Sequence, residues 1–228
     1  MTEPTWLSWS TGKDGAWALH TLRQQGRYHV TAMVTTVNAA FARVAMHGTR
    51  VSVARAQAVA AGLPLVEVPL PWPCSNEQYE AAMRGVWAEA QAAGVTAMAF
   101  GDLYLEDVRR YREERLAGTG LTPVFPLWGR ETGALVREML AAGLRARLTC
   151  VDPRRVPAAF AGRELDAATL AALPAGTDPC AENGEFHTCA FAGPMFSTPL
   201  KLKPGPVEEH DGFVFADFTL DEGPAEAC

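Results

Sequence analysis

The sequence predicts an α/β fold in which a mainly parallel sheet carries helices on both faces and a smaller lobe follows. Short apolar runs alternate with helix-period segments over the first two-thirds of the 228 residues. Repeated strand-then-helix units of this size are typical of a parallel sheet that is covered on both faces. After Asp152 prolines become frequent and the helical period fades. We therefore expect one domain at 1–152 and a smaller, irregular lobe at 153–228.

Each predicted strand is a short run of apolar or β-branched residues. The predicted strands are 5–8, 28–37, 65–68, 95–100, 123–127 and 144–151. The second of these runs is rich in valine and threonine, and we expect Pro69 to end the third. In the C-terminal lobe we expect a strand at 212–218 and a loose tail at 222–228.

Each predicted helix has a helical or charged pattern, and a glycine follows soon after it. The predicted helices are 16–25, 53–61, 76–93, 105–116 and 132–142, and the glycines are Gly26, Gly62, Gly94, Gly118 and Gly143. Ser75 and Gln78 have the spacing of a capping box, which places the start of the third helix.

Composition excludes several classes of protein. The net charge of −6 makes general nucleic-acid binding a poor expectation, because such binding depends on Lys and Arg contacts to phosphate. The five cysteines are odd in number and form no CxxC pair, which argues against a disulfide framework and a structural zinc site. We see no signal peptide and no apolar run of about 20 residues, so we expect a cytoplasmic protein without a membrane span.

Small and polar residues separate the first strand from the first helix. The residues of this loop that we expect to bind phosphate are Ser8, Ser10, Thr11, Gly12, Lys13, Asp14 and Gly15. Gly12 lets the backbone approach a ligand closely, and a helix start attracts anions. The loop matches neither the common ATPase motif nor the GxGxxG dinucleotide fingerprint. An ordinary tight turn is the alternative.

Gly101 and Asp102 follow a buried strand and precede an arginine-rich helix. Arg109, Arg112 and Arg115 recur at i, i+3 spacing, so one helical face can carry all three. Arginine is suited to bidentate recognition of phosphate or carboxylate. The alternative is a solvated helix in which acidic neighbours neutralise the arginines.

The densest polar run of the chain lies in the C-terminal lobe. Its members are Asp178, Glu182, Asn183, Gly184, Glu185, His187 and Thr188. A strand would place Glu185 and His187 on one face, where they could bind ammonium, position a carboxyl group or move protons. A turn with solvated charges is the alternative. His47, Arg50 and Trp128 are further candidates, each with an ordinary exposed or buried role as the alternative.

These motifs together resemble a known family. Ser-Trp-Ser-Thr-Gly-Lys-Asp at 8–14 resembles the SGGxDS motif of the PP-loop ATP pyrophosphatases, and with Ala-Trp-Ala-Leu at 16–19 it resembles the diphthine–ammonia ligases. Gly-Asp at 101–102, Pro-Leu-Trp at 126–128 and Glu-Asn-Gly-Glu-Phe-His-Thr at 182–188 resemble further elements of that family, in the same order. Met-His-Gly-Thr-Arg at 46–50 resembles its bacterial-type branch.

Two positions depart from the family pattern. Gly15 stands where the motif ends in serine, which removes a hydroxyl expected to touch phosphate. Ala181 stands where glycine is expected. If position 181 needs a positive φ, alanine strains the turn.

The resemblance implies a Rossmann-like PP-loop nucleotide domain at 1–152 and an acceptor-binding lobe at 153–228. ATP would lie across the sheet, with its pyrophosphate in the loop and Mg²⁺ on the triphosphate, and no metal site of the protein's own is implied. The implied nucleotide contacts are Ser8, Ser10, Thr11, Gly12, Lys13, Asp14, Gly15, His47, Arg50, Gly101, Asp102 and Arg112. The implied substrate contacts are Trp128, Glu182, Asn183, Gly184, Glu185 and Thr188. The implied catalytic residues are Lys13, Asp14, Glu182, Glu185 and His187.

The implied reaction forms a carbon–nitrogen bond. A small or protein-borne carboxylate attacks the α-phosphorus of ATP, and ammonia then displaces AMP from the acyl-adenylate. One alternative is a nucleotide-binding protein with little turnover, which Gly15 and Ala181 favour. Another is a sulfur transferase acting on tRNA, against which the scattered cysteines and the acidic charge argue. The sequence leaves the acceptor unidentified and a homodimer open.

Overall fold

The structure is a computed structural model that describes residues 2–221. These residues form ten strands and six α-helices. The strands are β1 (Glu3–Ser8), β2 (Tyr28–Asn38), β3 (Arg43–Val44), β4 (Leu65–Leu70), β5 (Ala97–Ala99), β6 (Thr122–Val124), β7 (Arg145–Val151), β8 (Phe186–Ala192), β9 (Leu202–His210) and β10 (Phe213–Leu220). The helices are α1 (Lys13–Gln25), α2 (Val51–Ala61), α3 (Asn76–Ala92), α4 (Glu106–Leu116), α5 (Thr132–Ala141) and α6 (Ala167–Ala171), with a short 3-10 turn at Ala158–Phe160.

The first sheet is mainly parallel and has helices on both faces, as the sequence predicts. Its parallel strands follow the order β4-β2-β1-β5-β6, and the short β3 pairs antiparallel with the end of β2. Successive side chains of β1 point to opposite faces. Trp6 packs in a cluster with Val86 and Ala90 of α3, whereas Leu7 packs in another with Leu19 of α1. Both faces of β1 are therefore buried.

The strand order reverses at β1. The chain passes from β1 through α1 to β2 on one side, while β5 joins β1 on the other. In open parallel sheets, ligands bind at the carboxyl ends of the strands where the order reverses. The loops after β1 and β5 are therefore the expected walls of a binding cleft.

The second sheet is antiparallel, with the order β8-β7-β10-β9. The strand predicted at 144–151 was expected in the parallel sheet, and this prediction is wrong, because β7 pairs antiparallel with β8 and β10. An apolar run does not distinguish a parallel from an antiparallel partner. The division of the chain into two domains at residue 152 stays a prediction. The strand β7 lies before that residue in the chain but belongs to the second sheet.

Several element boundaries differ from the sequence prediction. Pro69 does not end β4, which continues to Leu70 and pairs with β2 through Pro69. The helix α1 begins at Lys13, three residues before its predicted start. The capping box of α3 is confirmed, with Ser75 and Gln78 bonding each other's backbone N–H groups. The strand expected at 212–218 is β10, and the tail at 222–228 lies outside the described residues.

One hydrophobic core joins both sheets. The same buried cluster contains Leu19 of α1, Leu135 of α5, Val151 of β7 and Ala190 of β8. The second sheet is therefore packed against the helices that cover one face of the first. Within the described part of the chain, no helix has the length and apolar character that a membrane crossing requires.

Candidate active site

A cleft of about 220 Å³ opens where the loops after β1 and β5 meet the start of β8. It is lined by Ser8, Ser10, Lys13, Asp14, Gly15, His47, Phe100, Gly101, Asp102, Arg112, Cys180, Ala181, Glu182, Phe186, His187 and Thr188. Residues from all three polar segments singled out in the sequence thus share one cleft, at the reversal of strand order. A second cavity, of about 380 Å³, lies elsewhere and is lined by Arg23 and Tyr28 among others. It contains none of the predicted site residues.

The loop after β1 turns tightly into α1. Thr11 is fully buried and has a φ of 71°, a left-handed conformation that threonine seldom adopts. Its hydroxyl bonds the Thr49 hydroxyl at 3.0 Å. A Cβ at Gly12 would lie 3.3 Å from the carbonyl oxygen of Thr188, so this approach is close and favours glycine. The loop is therefore held in an uncommon backbone shape by its neighbours.

Lys13 and Asp14 form a buried ion pair at the start of α1. The Lys13 ammonium lies 2.8 Å from Asp14 Oδ2 and donates to the carbonyl oxygen of Cys180 at 2.5 Å. Burial is the largest influence on Lys13 and would lower its pKa, but Asp14, Cys180 and Glu182 together outweigh it and the pKa is raised. Burial raises the pKa of Asp14, and the Lys13 charge only partly offsets this. Lys13 therefore keeps its charge at neutral pH.

The second wall is formed by the loop after β5 and the helix α4. A Cβ at Gly101 would lie 2.9 Å from the backbone of Asp14 and Gly15, which explains the glycine. Arg112 binds Asp102 at 2.7 Å and lies 4.4 Å above the Phe100 ring. Of the three arginines predicted to share a face, Arg112 alone is in the cleft lining.

The other two arginines of the predicted face, Arg109 and Arg115, have partners away from the cleft. Arg109 pairs with Glu113 at 2.7 Å, and its guanidinium lies 4.7 Å from the Trp128 ring. Arg115 pairs with Glu80 at 2.8 Å. Trp128, predicted to contact substrate, is not among the residues that line the cleft.

The segment before β8 forms the third wall. Ala181 has a φ of 59°, so the position does need the left-handed conformation for which glycine was expected. Glu182 accepts from the Leu103 N–H at 3.4 Å. Burial, strengthened by the nearby Asp14 carboxylate, raises the pKa of Glu182 to about 7. This carboxyl group can therefore gain or lose a proton at neutral pH.

The structure does not bring Glu185 and His187 together on one strand face, because β8 begins at Phe186 and only His187 lines the cleft. Glu185 precedes β8 and is only 3% exposed; its Oε1 accepts from Asp178 N–H and Asn183 Nδ2, each at 3.2 Å. Its Oε2 is buried without a partner. Asn183 is exposed, and neither it nor Gly184 nor Glu185 is in the cleft lining.

Two imidazoles meet in the cleft. The ring centroids of His47 and His187 are 4.4 Å apart. Burial, together with the Lys13 charge, lowers the pKa of His187 to about 4, and burial also lowers that of His47 well below its ordinary value. Both rings are therefore neutral at pH 7. His47 Nδ1 is buried without a hydrogen-bond partner, so it is available to a ligand.

Arg50, predicted beside His47 as a nucleotide contact, points elsewhere. It binds Asp217 of β10 at 2.5 Å, and Arg43 binds the same carboxylate at 2.8 Å. No sequence pattern indicates that Asp217, 167 positions away, would pair with Arg50. Arg50 thus attaches the segment that carries His47 to the second sheet, through its ion pair with Asp217.

Thr188, expected to contact substrate, lines the cleft, and its hydroxyl accepts from the Lys13 backbone N–H at 3.1 Å. Its substrate contact stays a prediction. Other residues of this site were not predicted. Gln57 of α2 was not considered, although it bonds the loop after β1. The available signal was its amide within a helix otherwise rich in alanine and valine. Phe100, Cys180 and Phe186 also line the cleft. None of them was a predicted site residue, although Phe186 lies within the motif at 182–188.

The Asp14 carboxylate is suited to a metal ion that enters the cleft bound to a phosphate group. Within residues 2–221, no group of three or more His, Cys, Asp or Glu side chains is arranged to hold a metal. Asp14 Oδ1, however, is buried in the cleft wall without a partner. Mg²⁺ usually takes one or two carboxylates and completes its shell with water and substrate phosphate oxygens. Asp14 fits that role.

The comparison with known families agrees with this geometry. None of the curated proteins matches the sequence. The model of the family described as "Diphthamide synthase N-terminal domain" matches residues 5–122, which is more than half of the 228-residue chain. The match includes the loop after β1, the His47 segment and the Gly101–Asp102 wall. The chain therefore belongs to the diphthamide synthase N-terminal domain family, an ATP-using family of PP-loop ATP pyrophosphatases related to diphthine–ammonia ligase.

Proposed function

We propose that this protein adenylates a carboxylate acceptor with ATP and transfers ammonia to it, releasing AMP and pyrophosphate. The observation that carries the proposal is the meeting of three polar walls in one cleft at the reversal of strand order. The wall after β1 has the chemistry of a phosphate site, and the wall before β8 has the chemistry of a proton-transfer site. A ligation that uses ATP needs both within reach of one substrate.

The start of α1 supports pyrophosphate binding. Lys13 is charged and 2% exposed, so its attraction to a phosphate is little screened by water. The N–H groups of the first helical turn point towards the cleft end of α1 and favour an anion. Negative charge on pyrophosphate grows as it departs, so fixed donors here would stabilise the transition state. Mg²⁺ bound through Asp14 would neutralise further charge on the triphosphate.

The opposite wall supports handling of the ammonia nitrogen. In the second step the nitrogen attacks the acyl carbon, the bond to AMP breaks, and the nitrogen loses a proton. Glu182, with a pKa of about 7, can accept that proton. The neutral rings of His47 and His187 offer uncharged acceptors and do not repel a cationic nitrogen.

The sulfur-transfer alternative has less support. A cysteine that attacks or carries sulfur needs thiolate character. Cys150, Cys180 and Cys189 are buried, and burial raises the pKa of each thiol to about 12. The alternative of a nucleotide-binding protein with little turnover rests on Gly15 and on the left-handed Ala181.

The identity of the nucleotide product tests the proposal. Wild-type protein with Mg-ATP, ammonium and a panel of carboxylates should give AMP and pyrophosphate by chromatography. ADP as the main product would refute it. ATP binding without AMP from any acceptor would favour the binding-protein alternative.

The variant Lys13→Ala tests the assignment of the phosphate loop. We expect Mg-ATP affinity to fall by about tenfold or more, because a charge-assisted contact contributes about 1.5–3 kcal/mol. Calorimetry measures the affinity, and circular dichroism checks that the variant is folded. The exposed Lys203→Ala variant is the matched control. Equal affinity in the two variants would place the pyrophosphate elsewhere.

A further inference from the structure

Gln57 of α2 lies under the loop after β1 and has no exposed surface. It is the polar exception on a helix whose other buried residues are alanine and valine. A buried amide carries a large desolvation cost unless its hydrogen bonds are made. Its partners therefore indicate what it does.

All of its partners belong to the loop or to β8. Gln57 Oε1 accepts from the indole N–H of Trp9 at 2.8 Å. Its Nε2 donates to the carbonyl oxygen of Thr11 at 3.0 Å and to that of Ala190 at 2.6 Å. The Ala190 N–H also donates to the Thr11 carbonyl, at 2.9 Å. One amide thus joins both ends of the loop turn to a strand of the second sheet.

This arrangement requires an amide in particular. Trp9 is a donor, whereas the carbonyl oxygens of Thr11 and Ala190 are acceptors, and Cys189 Sγ is a weaker acceptor at 3.7 Å. Among uncharged side chains, only glutamine or asparagine offers one carbonyl and two N–H donors. A hydrophobic side chain of the same length would leave the Trp9 N–H unpaired and remove a donor from each carbonyl. A carboxylate would face two carbonyl oxygens.

The bonded carbonyl belongs to the strained residue of the loop. Thr11 has a φ of 71°, and such a conformation persists only where the surroundings hold it. Gly12 and Lys13 follow directly, so the direction of the Thr11 peptide determines where the first N–H groups of α1 point. A loop released from Gln57 would be free to leave this conformation.

We propose that Gln57 is the positioning residue that holds the loop after β1 in its phosphate-binding shape. Gln57 does not line the cleft and acts through Thr11 and Trp9. Its effect on ATP rests on the proposed function, whereas its effect on the loop does not.

Amide hydrogen exchange tests the positioning directly in the protein without nucleotide. The variant Gln57→Met keeps the length of the side chain and removes the hydrogen bonds. We expect exchange in the peptide that covers the loop, and at the Ala190 amide, to become about tenfold faster or more, because a lost buried hydrogen bond costs about 1–3 kcal/mol.

The control is Val53→Ala, one turn earlier on the same helix. Val53 is fully buried and apolar, so the variant loses packing without touching a hydrogen bond of the loop. Hydrogen exchange in each variant is measured at a temperature the same number of degrees below that variant's own melting temperature. Faster exchange at the loop in Gln57→Met alone supports the proposal. Equal exchange in the two variants overturns it and leaves Gln57 as an ordinary core residue.

Calorimetry with Mg-ATP then links the loop to binding. We expect Gln57→Met to bind at least about tenfold more weakly than Val53→Ala, by the same hydrogen-bond magnitude. If wild-type protein fails to bind ATP, the proposed function fails, while the exchange result still decides the role of Gln57. If exchange rises and affinity is unchanged, the loop is held by Gln57 but its shape does not matter to ATP, which overturns the proposal.

Discussion

At the scale of single residues, the cleft combines two pairs of opposite charges with two neutral imidazoles. Lys13 is matched by Asp14, and Arg112 by Asp102. The rings of His47 and His187 add no charge at neutral pH. A triphosphate entering this cleft therefore meets little uncompensated positive charge from side chains, which agrees with a need for Mg²⁺ and for backbone donors.

Gly15 departs from the SGGxDS motif that the loop after β1 resembles, and the structure has room for a serine side chain there. A Cβ there would meet Ser8 and Trp9 atoms at 3.8 Å, which is ordinary contact. We expect Gly15→Ser to raise AMP formation by about tenfold or more, because the serine hydroxyl adds one more donor to the departing pyrophosphate. A factor of ten in rate corresponds to roughly 1.4 kcal/mol of transition-state stabilisation. ATP affinity should change less.

The measurement of Gly15→Ser takes turnover and affinity from the same preparation. Gly15→Ala separates the hydroxyl from the helix propensity of the new side chain, because both variants remove a helical glycine. A serine variant that binds ATP much more tightly but turns over no faster would contradict the assigned role.

Glu182 makes stability depend on pH. Its pKa is raised from 4.5 to about 7, so the folded protein holds a proton that the unfolded chain has already lost in that window. Stability from this group is therefore greatest below pH 4.5 and falls as the pH rises towards 7. We expect Glu182→Gln to melt higher than wild type at pH 8.

The difference in melting temperature between Glu182→Gln and wild type should shrink as the pH is lowered to 5. Glutamine keeps an acceptor for the Leu103 N–H, so the comparison isolates the charge. Calorimetric scans at the two pH values provide the measurement. A difference that is independent of pH would show that Glu182 is ionised throughout.

At the scale of elements, the segment that carries His47 is fastened from outside. Arg43 and Arg50 converge on Asp217 of β10. Burial alone would raise the pKa of Asp217, but the hydrogen bonds from these arginines lower it from 3.8 to about 2. Its stabilising effect is therefore complete above pH 3.8 and is lost as the pH falls through about 2.

We expect Asp217→Asn to loosen this segment and to weaken ATP binding severalfold, because His47 would lose its fixed place beside His187. Hydrogen exchange of the segment between the two arginines measures the loosening. Asp221→Asn, an exposed carboxylate beyond the end of the same strand, is the control. If Asp217→Asn loosens this segment but binds ATP as tightly as the wild type, His47 is not a nucleotide contact.

The elements that the sequence predicts well are those in which polar and apolar residues recur at a helical period. The helices α2, α3, α4 and α5 lie within two residues of their predicted ends, because one face of each is polar and glycine or a capping box marks a boundary. The strand β9 was missed because all but its first residue are exposed, so no alternation arises. A strand through His187 was considered in the sequence, with a turn as the alternative, but without bounds; the structure gives it as β8, which begins at Phe186.

Side-chain partners are the part of the site that the sequence could not give. The loop after β1, the Gly101 wall and the segment before β8 were selected from residue types and order, and all three line the cleft. The partners of Arg50 and Gln57 lie 167 and 133 positions away, and a single sequence carries no record of such contacts.

At the scale of the whole molecule, the two sheets form one structural unit. Their shared core contains residues of α1, α5, β7 and β8, so the parallel sheet cannot keep its packing if the second sheet opens. We expect a single thermal transition whose calorimetric and van't Hoff enthalpies agree. Two separate transitions would show that the sheets are independent domains. The control is Lys201→Ala, a substitution on the exposed surface, which should leave the unfolding profile unchanged.

The contact at Gly101 also sets limits for protein engineering. A Cβ at this position would lie 2.9 Å from the backbone at the start of α1, so every substitution forces the two walls apart. Libraries intended to change what the cleft binds should therefore keep position 101 invariant. Diversity belongs at exposed positions beside the cleft such as Asn183, where new side chains extend into solvent. The rim of this cleft is thus open to redesign beside the segment before β8 and closed to it where the two loops touch.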